Sequence, residues 1–153
     1  PKIMKEYWRK PEITAKTLRG GWYHTGDAGY IDETGHLYLV DRKKDMIISG
    51  GENVYSVEVE NVLSTNPAVL EVAVIGIPHD VWGEQVHAVI VLQSGQENTT
   101  GLEILNYCRG RIAGYKIPKS LSFVEGPLPT TGPGKIAKRR LRDPYWEDVK
   151  RQI

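Results

Sequence analysis

Apolar positions fall into separated blocks along the chain, and the spacing within each block selects an element. Val69-Leu70-Glu71-Val72-Ala73-Val74-Ile75-Gly76-Ile77 is almost unbroken apolar sequence, the pattern of a central strand covered on both faces. Val86 to Leu92 repeats the pattern. Pro78 to Gln85 between them reads as a loop, so the two strands are expected to pair antiparallel. Leu121 to Val124 supplies a third, shorter strand. Helical spacing recurs in two places. Val59, Val62 and Leu63 share one face of a helix that Ser56 is expected to cap and Asn66-Pro67 to stop, with Glu58 and Glu60 near the positive end of its dipole. Thr100-Gly101-Leu102-Glu103 is a capping-box pattern. The helix after it is expected to bury Leu102, Leu105 and Ile112 and to end at Gly114.

Upstream the pattern is weaker. Thr14 to Leu18 fits a helical turn. Gly29-Tyr30-Ile31, the turn Asp32-Glu33-Thr34-Gly35 and His36-Leu37-Tyr38-Leu39-Val40 read as a hairpin. Asp41 to Asp45 has no apolar residue, the mark of a solvated connector and a domain boundary. Met46-Ile47-Ile48 then runs into Gly50-Gly51. Pro127 to Gly134 is a Pro/Gly loop, and Lys135 to Arg142 a short basic helix or turn. Residues 42–142 thus predict an α+β core, a small three-stranded sheet packed with helices. Residues 1–40 do not make a core alone, and their hairpin is expected to lean on something outside the chain.

Composition narrows the class. With 40% hydrophobic and 25% charged residues, the 153-residue chain can build a packed core. A net charge of +1 argues against a general polyanion binder, so no nucleic-acid partner is expected. The single cysteine, Cys108, excludes an internal disulfide framework and fits a reduced, cytoplasmic setting. No apolar run approaches the ~20 residues of a transmembrane helix. The chain starts at Pro1, without an initiator methionine or a signal peptide, so it is expected to be the interior of a longer protein.

Four stretches carry candidate chemistry, each with a plain structural alternative. Thr25-Gly26-Asp27 places a carboxylate on a short turn, able to accept two ribose hydroxyls or simply to end the turn. In Arg42 to Gly51, Arg42 offers a planar fork for hydroxyl or phosphate oxygens, while Lys44 is indistinguishable from a solvated lysine. Gly50-Gly51 permits positive φ, either for close ligand approach or for a tight turn between strand and helix. Trp82 in Trp82-Gly83-Glu84 stacks a ligand or covers the sheet. Lys135, at the end of Pro129-Thr130-Thr131-Gly132-Pro133-Gly134, is a movable cation suited to an anion that gains charge during reaction. Pro129 and Ile136 fail the Walker A pattern. Lys138, Arg139, Arg140 and Arg142 extend this into a basic run that reads as a solvated face. The four histidines, His24, His36, His79 and His87, lack metal-ligand spacing.

The order and spacing of these motifs is more specific than any one of them. Gly21 to Asp27, Asp41 to Tyr55, Glu58-Val59-Glu60, Trp82-Gly83-Glu84, Gly114 to Lys119 and Gly134-Lys135-Ile136 together resemble the C-terminal part of the adenylate-forming superfamily, in particular its acyl- and aryl-CoA synthetases. The resemblance implies activation of a carboxylic acid by ATP and magnesium to an acyl-adenylate, then transfer of the acyl group to coenzyme A. It implies that residues 1–41 end a large N-terminal AMP-binding domain and that residues 42–153 form a mobile C-terminal lid that alternates between the two half-reactions. The acid pocket and the magnesium site would lie in the missing N-terminal domain, leaving this stretch inactive alone; the alternatives are a stand-alone coenzyme A-binding or interaction module of the same fold, or an adenylating enzyme that loads a carrier protein. By the same resemblance Asp27 and Arg42 hold the nucleotide's ribose, Lys44 is the hinge and Lys135 the catalytic lysine of adenylation. Gly50, Gly51 and Glu52 line the coenzyme A tunnel, bordered by Trp82, Tyr115 and Lys116. Ser56 departs from the family's usual Pro, and Thr130 from its usual Arg or Lys.

Overall fold

The first sheet is a two-stranded hairpin. Strands β1 (Asp27–Ile31) and β2 (Leu37–Arg42) pair antiparallel around the expected Asp32–Gly35 turn, where Asp32 Oδ1 accepts the backbone N–H groups of Thr34 and His36 at 2.9 Å each. Helix α1 (Pro11–Thr17) precedes it, longer than the single turn anticipated and opened by Pro11, whose fixed φ suits the first helical position. The computed structural model describes residues 4–147, so 1–3, which begin the first expected segment, and 148–153, which end the second, lie outside the described residues. Within 4–46 no side chain is buried, and Tyr30, Ile31, Leu37 and Leu39 of the hairpin are each more than half exposed.

The second sheet has five strands rather than three, within the expected mixed α and β class. Strands β3 (Ile47–Ser49) and β4 (Glu52–Val54) were hidden in the sequence by their shortness. They pair across Gly50-Gly51, whose positive φ values of 61° and 85° build a two-residue hairpin turn. The glycine pair therefore joins two strands and not a strand to a helix. Strands β5 (Val69–His79) and β6 (Gly83–Leu92) are longer than their apolar runs and leave only residues 80–82 as a connection. Pairing continues to His79↔Gly83, which corrects the loop expected from Pro78 to Gln85.

β6 is the central strand. It pairs with β5 along its length, with β3 at Gly83, and in parallel with β7 (Ser120–Phe123) from His87 to Ile90. β5, expected in the centre, has one strand neighbour among the described residues. Its apolar run reflects burial of both faces. Val72 and Val74 join Ile47, Val59, Leu63, Ile90 and Ile104 on one side, while Ala73, Ile75 and Ile77 meet Val89, Val91 and Leu128 on the other. Side chains meet the outward backbone groups of β5. Val74 N–H donates to Glu60 Oε1 at 2.7 Å, and Trp146 Nε1 donates to the Gly76 carbonyl at 3.0 Å.

Helix α2 (Ser56–Ser64) buries Val59 and Leu63 with Val62 beside them, the face read from the sequence. Its N-cap is Tyr55, which supplies no side-chain bond. Ser56 lies one position inside, fully buried. Asp41 of β2 does the capping from a distance: its Oδ2 accepts Ser56 Oγ–H at 2.7 Å and Val57 N–H at 3.3 Å. The all-polar run from Asp41 is thus only partly a solvated connector.

Helix α3 (Gly101–Tyr107) has the full Thr100–Glu103 capping box. It buries Ile104, with Cys108 buried at its C-cap, and leaves Leu102 65% exposed, so its core face is rotated from the one expected. It ends at Tyr107, and Gly114 instead opens a 3-10 turn, Gly114–Lys116. Helix α4 (Lys138–Arg142) is the short basic helix, starting three residues after Lys135.

Candidate functional site

Three groups of predicted residues occupy three places around the joint between the sheets. The first is a cleft. Asp27 opens β1 and Arg42 closes β2, so the register sets them opposite each other. Arg42 Nε meets Asp27 Oδ1 at 2.9 Å. An open space of about 840 Å³ adjoins them, lined also by Lys16, Arg19, Lys43, Lys44 and Arg142. One carboxylate amid these cations gives hydroxyl-accepting and phosphate-attracting groups side by side, the donor set a nucleotide needs.

The second is the joint itself. Arg42 to Asp45 is a hydrogen-bonded turn: the Arg42 carbonyl accepts Asp45 N–H at 2.9 Å and Met46 N–H at 3.1 Å, and Lys43 N–H donates to the Gly26 carbonyl at 2.8 Å. Lys44 sits in this turn. Arg142 of α4 reaches back to it, donating from Nη1 to the Lys44 carbonyl at 3.1 Å and lying 3.8 Å from Asp45 Oδ1.

The third surrounds the glycine turn. Gly50 N–H donates to the Trp82 carbonyl at 3.0 Å, and a Cβ on Gly50 would lie 3.7 Å from the Trp82 ring. Trp82 stacks on His79 with centroids 4.4 Å apart, and Lys119 Nζ lies 5.7 Å from the Trp82 ring. Glu52 is exposed at the start of β4, beside this turn. Glu84 is structural: it is 5% exposed and its Oε2 accepts Ile48 N–H at 3.2 Å, tying β3 to the long strands. Tyr115 is exposed on the 3-10 turn. Lys116 beside it donates to both oxygens of Glu58 at 2.7 Å, a bond that raises its pKa and binds the turn to α2.

Lys135 stands apart from all three. It is exposed on a small looped hairpin closed by Ala137 N–H to the Pro129 carbonyl at 2.7 Å and by the Thr130–Ile136 bridge. Buried Leu128 and Ala137 anchor its two ends. Lys135 does not line the Asp27–Arg42 cleft.

Sequence reasoning missed a polar chain running between these places. Lys138 Nζ donates to Ser56 Oγ at 2.6 Å and pairs with Glu60 Oε1 at 2.7 Å. Burial pushes the Glu60 carboxyl up, and Lys138 opposes that rise. Lys138 was read only as one of a solvated basic run, which its 13% exposure corrects, and no local spacing links it to Glu60, 78 positions upstream, or to Ser56, 82 upstream. His87 was also missed. It is buried between Ser120, whose Oγ is 2.8 Å from Nδ1, and Ser122 and Tyr145, whose oxygens are 3.2 and 3.3 Å from Nε2; burial pushes its pKa down. Among the described residues no group of three or more His, Cys, Asp or Glu side chains is placed to hold a metal ion, and no helix is long and apolar enough to cross a membrane.

Comparison with known proteins agrees with the motif order. The profile of the AMP-binding enzyme C-terminal domain matches residues 58–135. A feruloyl-CoA synthase from an Amycolatopsis species is 52% identical over 142 residues, 93% of this chain and 28% of that protein. A fatty acid–[acyl-carrier-protein] ligase, ScoC, from Streptomyces coeruleorubidus is 44% identical over the whole chain, 29% of its own length. Among solved structures, ATP-bound MatB from Rhodopseudomonas palustris superposes with a TM-score of 0.84 at 40% identity, over 97% of this chain and 29% of that one. The chain therefore spans less than a third of the relatives it matches. Its fold, its motif order and these matches place it in the AMP-binding enzyme C-terminal domain family, the closing part of adenylate-forming ligases.

Proposed function

We propose that the longer protein containing this chain is an ATP-dependent carboxylic acid–CoA ligase. In the first half-reaction the acid's carboxylate attacks the α-phosphorus of ATP, giving acyl-adenylate and pyrophosphate. In the second, the thiol of coenzyme A attacks the acyl carbon, forming the thioester and releasing AMP and the thiol proton. Residues 1–41 close the large nucleotide-binding domain, and residues 42–153 are its lid.

The observation that carries this reading is the Asp27–Arg42 pair at 2.9 Å in a cation-lined cleft. Asp27 holds the ribose hydroxyls and Arg42 supports them. Lys135, on its own loop, enters to stabilise charge at the α-phosphate during adenylation and leaves afterwards. Lys44 is the pivot. Gly50 and Gly51, with Glu52 and Trp82, line the path of coenzyme A, and Tyr115 and Lys116 border it. Magnesium is expected on the large domain, with the acid pocket, so this chain alone is expected to catalyse neither step. Cys108, a buried thiol whose pKa burial raises, is compatible with a cytoplasmic protein.

The likeness to a carrier-protein ligase supports a second acceptor, the phosphopantetheine thiol of an acyl-carrier protein. The two acceptors share the thiol chemistry, and competition between free coenzyme A and a carrier bearing a free phosphopantetheine thiol separates them. The primary test is Lys135→Ala in the full-length protein. Pyrophosphate exchange should fall by about 10²-fold or more, the scale for losing a transition-state charge partner. Thioester formation from preformed acyl-adenylate should stay within a few-fold. Equal loss of both would remove Lys135 from its assigned step.

A further inference from the structure

We propose that Asp41 is a positioning residue that latches the lid in one pose, the one in which Lys135 is withdrawn from the nucleotide cleft. This rests on the ligase reading for its consequence in catalysis, though not for its geometry. Asp41 lies before the Arg42–Asp45 turn, on the hairpin, whereas Ser56 and Val57 lie after it, at the start of α2. Yet a single oxygen, Asp41 Oδ2, accepts both Ser56 Oγ–H and Val57 N–H. Any rotation of the backbone at Lys43 or Lys44 carries these partners apart.

The contact is built, not incidental. The Ser56 hydroxyl is fully buried and is itself the acceptor for Lys138 Nζ at 2.6 Å. Lys138 in turn pairs with Glu60 at 2.7 Å, and Glu60 accepts Val74 N–H from β5. Asp41 thus ends a continuous chain, hairpin carboxylate to α2 hydroxyl to α4 ammonium to α2 carboxylate to the sheet. Its negative charge lies near the free N–H groups at the start of α2, where the helix dipole favours it. Turning the lid removes that carboxylate from the helix and leaves the Lys138–Glu60 pair as a neutral unit. The lid can therefore leave without stranding an unpaired buried charge, which makes Asp41 a releasable catch and not a permanent weld.

Lys138 begins three residues after Lys135, on the helix that closes the lysine loop. Lys138, which braces the latch at Ser56, and the adenylation lysine therefore lie on one short stretch of chain. While Asp41 is engaged, Lys135 stays outside the Asp27–Arg42 cleft. Asp41 then favours thioester formation over adenylation.

The test uses the full-length protein with ferulate and palmitate as acids. Pyrophosphate exchange reports the first step, and thioester formation from preformed acyl-adenylate the second. Asp41→Ala should lower the ratio of second-step to first-step rates by about tenfold, the scale of losing a charge-assisted hydrogen bond. Asp41→Asn, which keeps an acceptor oxygen, should restore part of that ratio. Ser56→Ala shifts it the same way by a smaller factor and serves if the Asp41 variants do not fold. Trypsin cutting after Lys43 and Lys44, followed by mass spectrometry, should quicken in the alanine variants because the turn opens more often. An unchanged ratio, or an equal fall in both rates, overturns the latch. If the parent protein exchanges no pyrophosphate with either acid, the ligase reading suffers instead, and the trypsin rate alone decides the latch: equal cutting of parent and variants overturns it.

Discussion

Replacing Lys138 by methionine removes the only cation that the structure places against Glu60 among the described residues. The two side chains are 13% and 17% exposed, so neither can be rehydrated without moving the α2–α4 contact. At 2.7 Å and an effective dielectric of about 20, the gross attraction is about 6 kcal/mol, most of it offset by the desolvation of both ions. The relevant quantity for a one-sided deletion is the cost of the carboxylate left behind, about 3–5 kcal/mol for a buried group. Residual exposure and the surviving Val74 N–H bond reduce this to about 2–4 kcal/mol at pH 7. Burial already raises the Glu60 pKa, and losing Lys138 raises it further. The folded variant then binds more protons than the unfolded chain. Its stability falls as pH rises above the unfolded value of about 4.3, by about 1.4 kcal/mol per pH unit until the folded carboxyl ionises. Urea unfolding followed by tryptophan fluorescence should therefore show a deficit at pH 7 that shrinks toward pH 5. The double variant Lys138→Met, Glu60→Gln should recover to within about 1 kcal/mol of the parent, since the amide keeps the Val74 bond and no charge remains. A deficit under about 0.5 kcal/mol at pH 7, or a double variant as unstable as the two single losses summed, would falsify the buried-pair account.

Two further perturbations probe the sheet. Gly76→Ala puts a Cβ 2.5 Å from Glu84 Oε2 and 3.2 Å from Ile47 Cγ2. It should cost about 1–3 kcal/mol in a urea titration and loosen the Ile48 bond, and a change near zero would mean that Glu84 has room to yield. His87 is held neutral by burial, so its folded pKa lies below the ordinary 6.5 and the unfolded chain binds more protons just below that pH. Stability should fall as pH drops from about 6.5 through the lowered folded value, and His87→Gln should flatten that part of the urea-midpoint profile; an unchanged slope would assign the fall to other groups.

Local signals were legible where a few neighbouring residues determine the outcome. The Thr100–Glu103 box and the Val59–Leu63 face needed only their own turns, and the Asp32–Gly35 hairpin its own loop. Burial of both faces of β5 was equally plain, but an apolar run reports what covers a strand and not how many strands pair with it, so its edge position was invisible. β3 and β4 are three residues each, too short for periodicity, and their existence depends on Gly50-Gly51 turning one way. The core face of α3 was misread because Leu102 looks apolar in sequence while the sheet lies toward Ile104 and Cys108. Asp27 and Arg42 were nameable by motif, and the hairpin register places them face to face. The Asp41–Ser56–Lys138–Glu60 chain was beyond reach because its members are far apart in sequence and each, alone, is an ordinary surface residue type.

A strand with a bare margin invites a neighbouring molecule to add its own strand there. β5 carries long apolar sequence and, among the described residues, a margin without a strand partner, the combination that seeds intermolecular stacking. Three different devices close it. Glu60 occupies the Val74 N–H, Trp146 occupies the Gly76 carbonyl, and Pro78 has no N–H to offer. Because two of these guards sit on α2 and on the segment after α4, the margin is sealed only while both are docked. α2 and the segment after α4 thus do more than frame the joint: through Glu60 and Trp146 they also occupy backbone groups that an added strand would need.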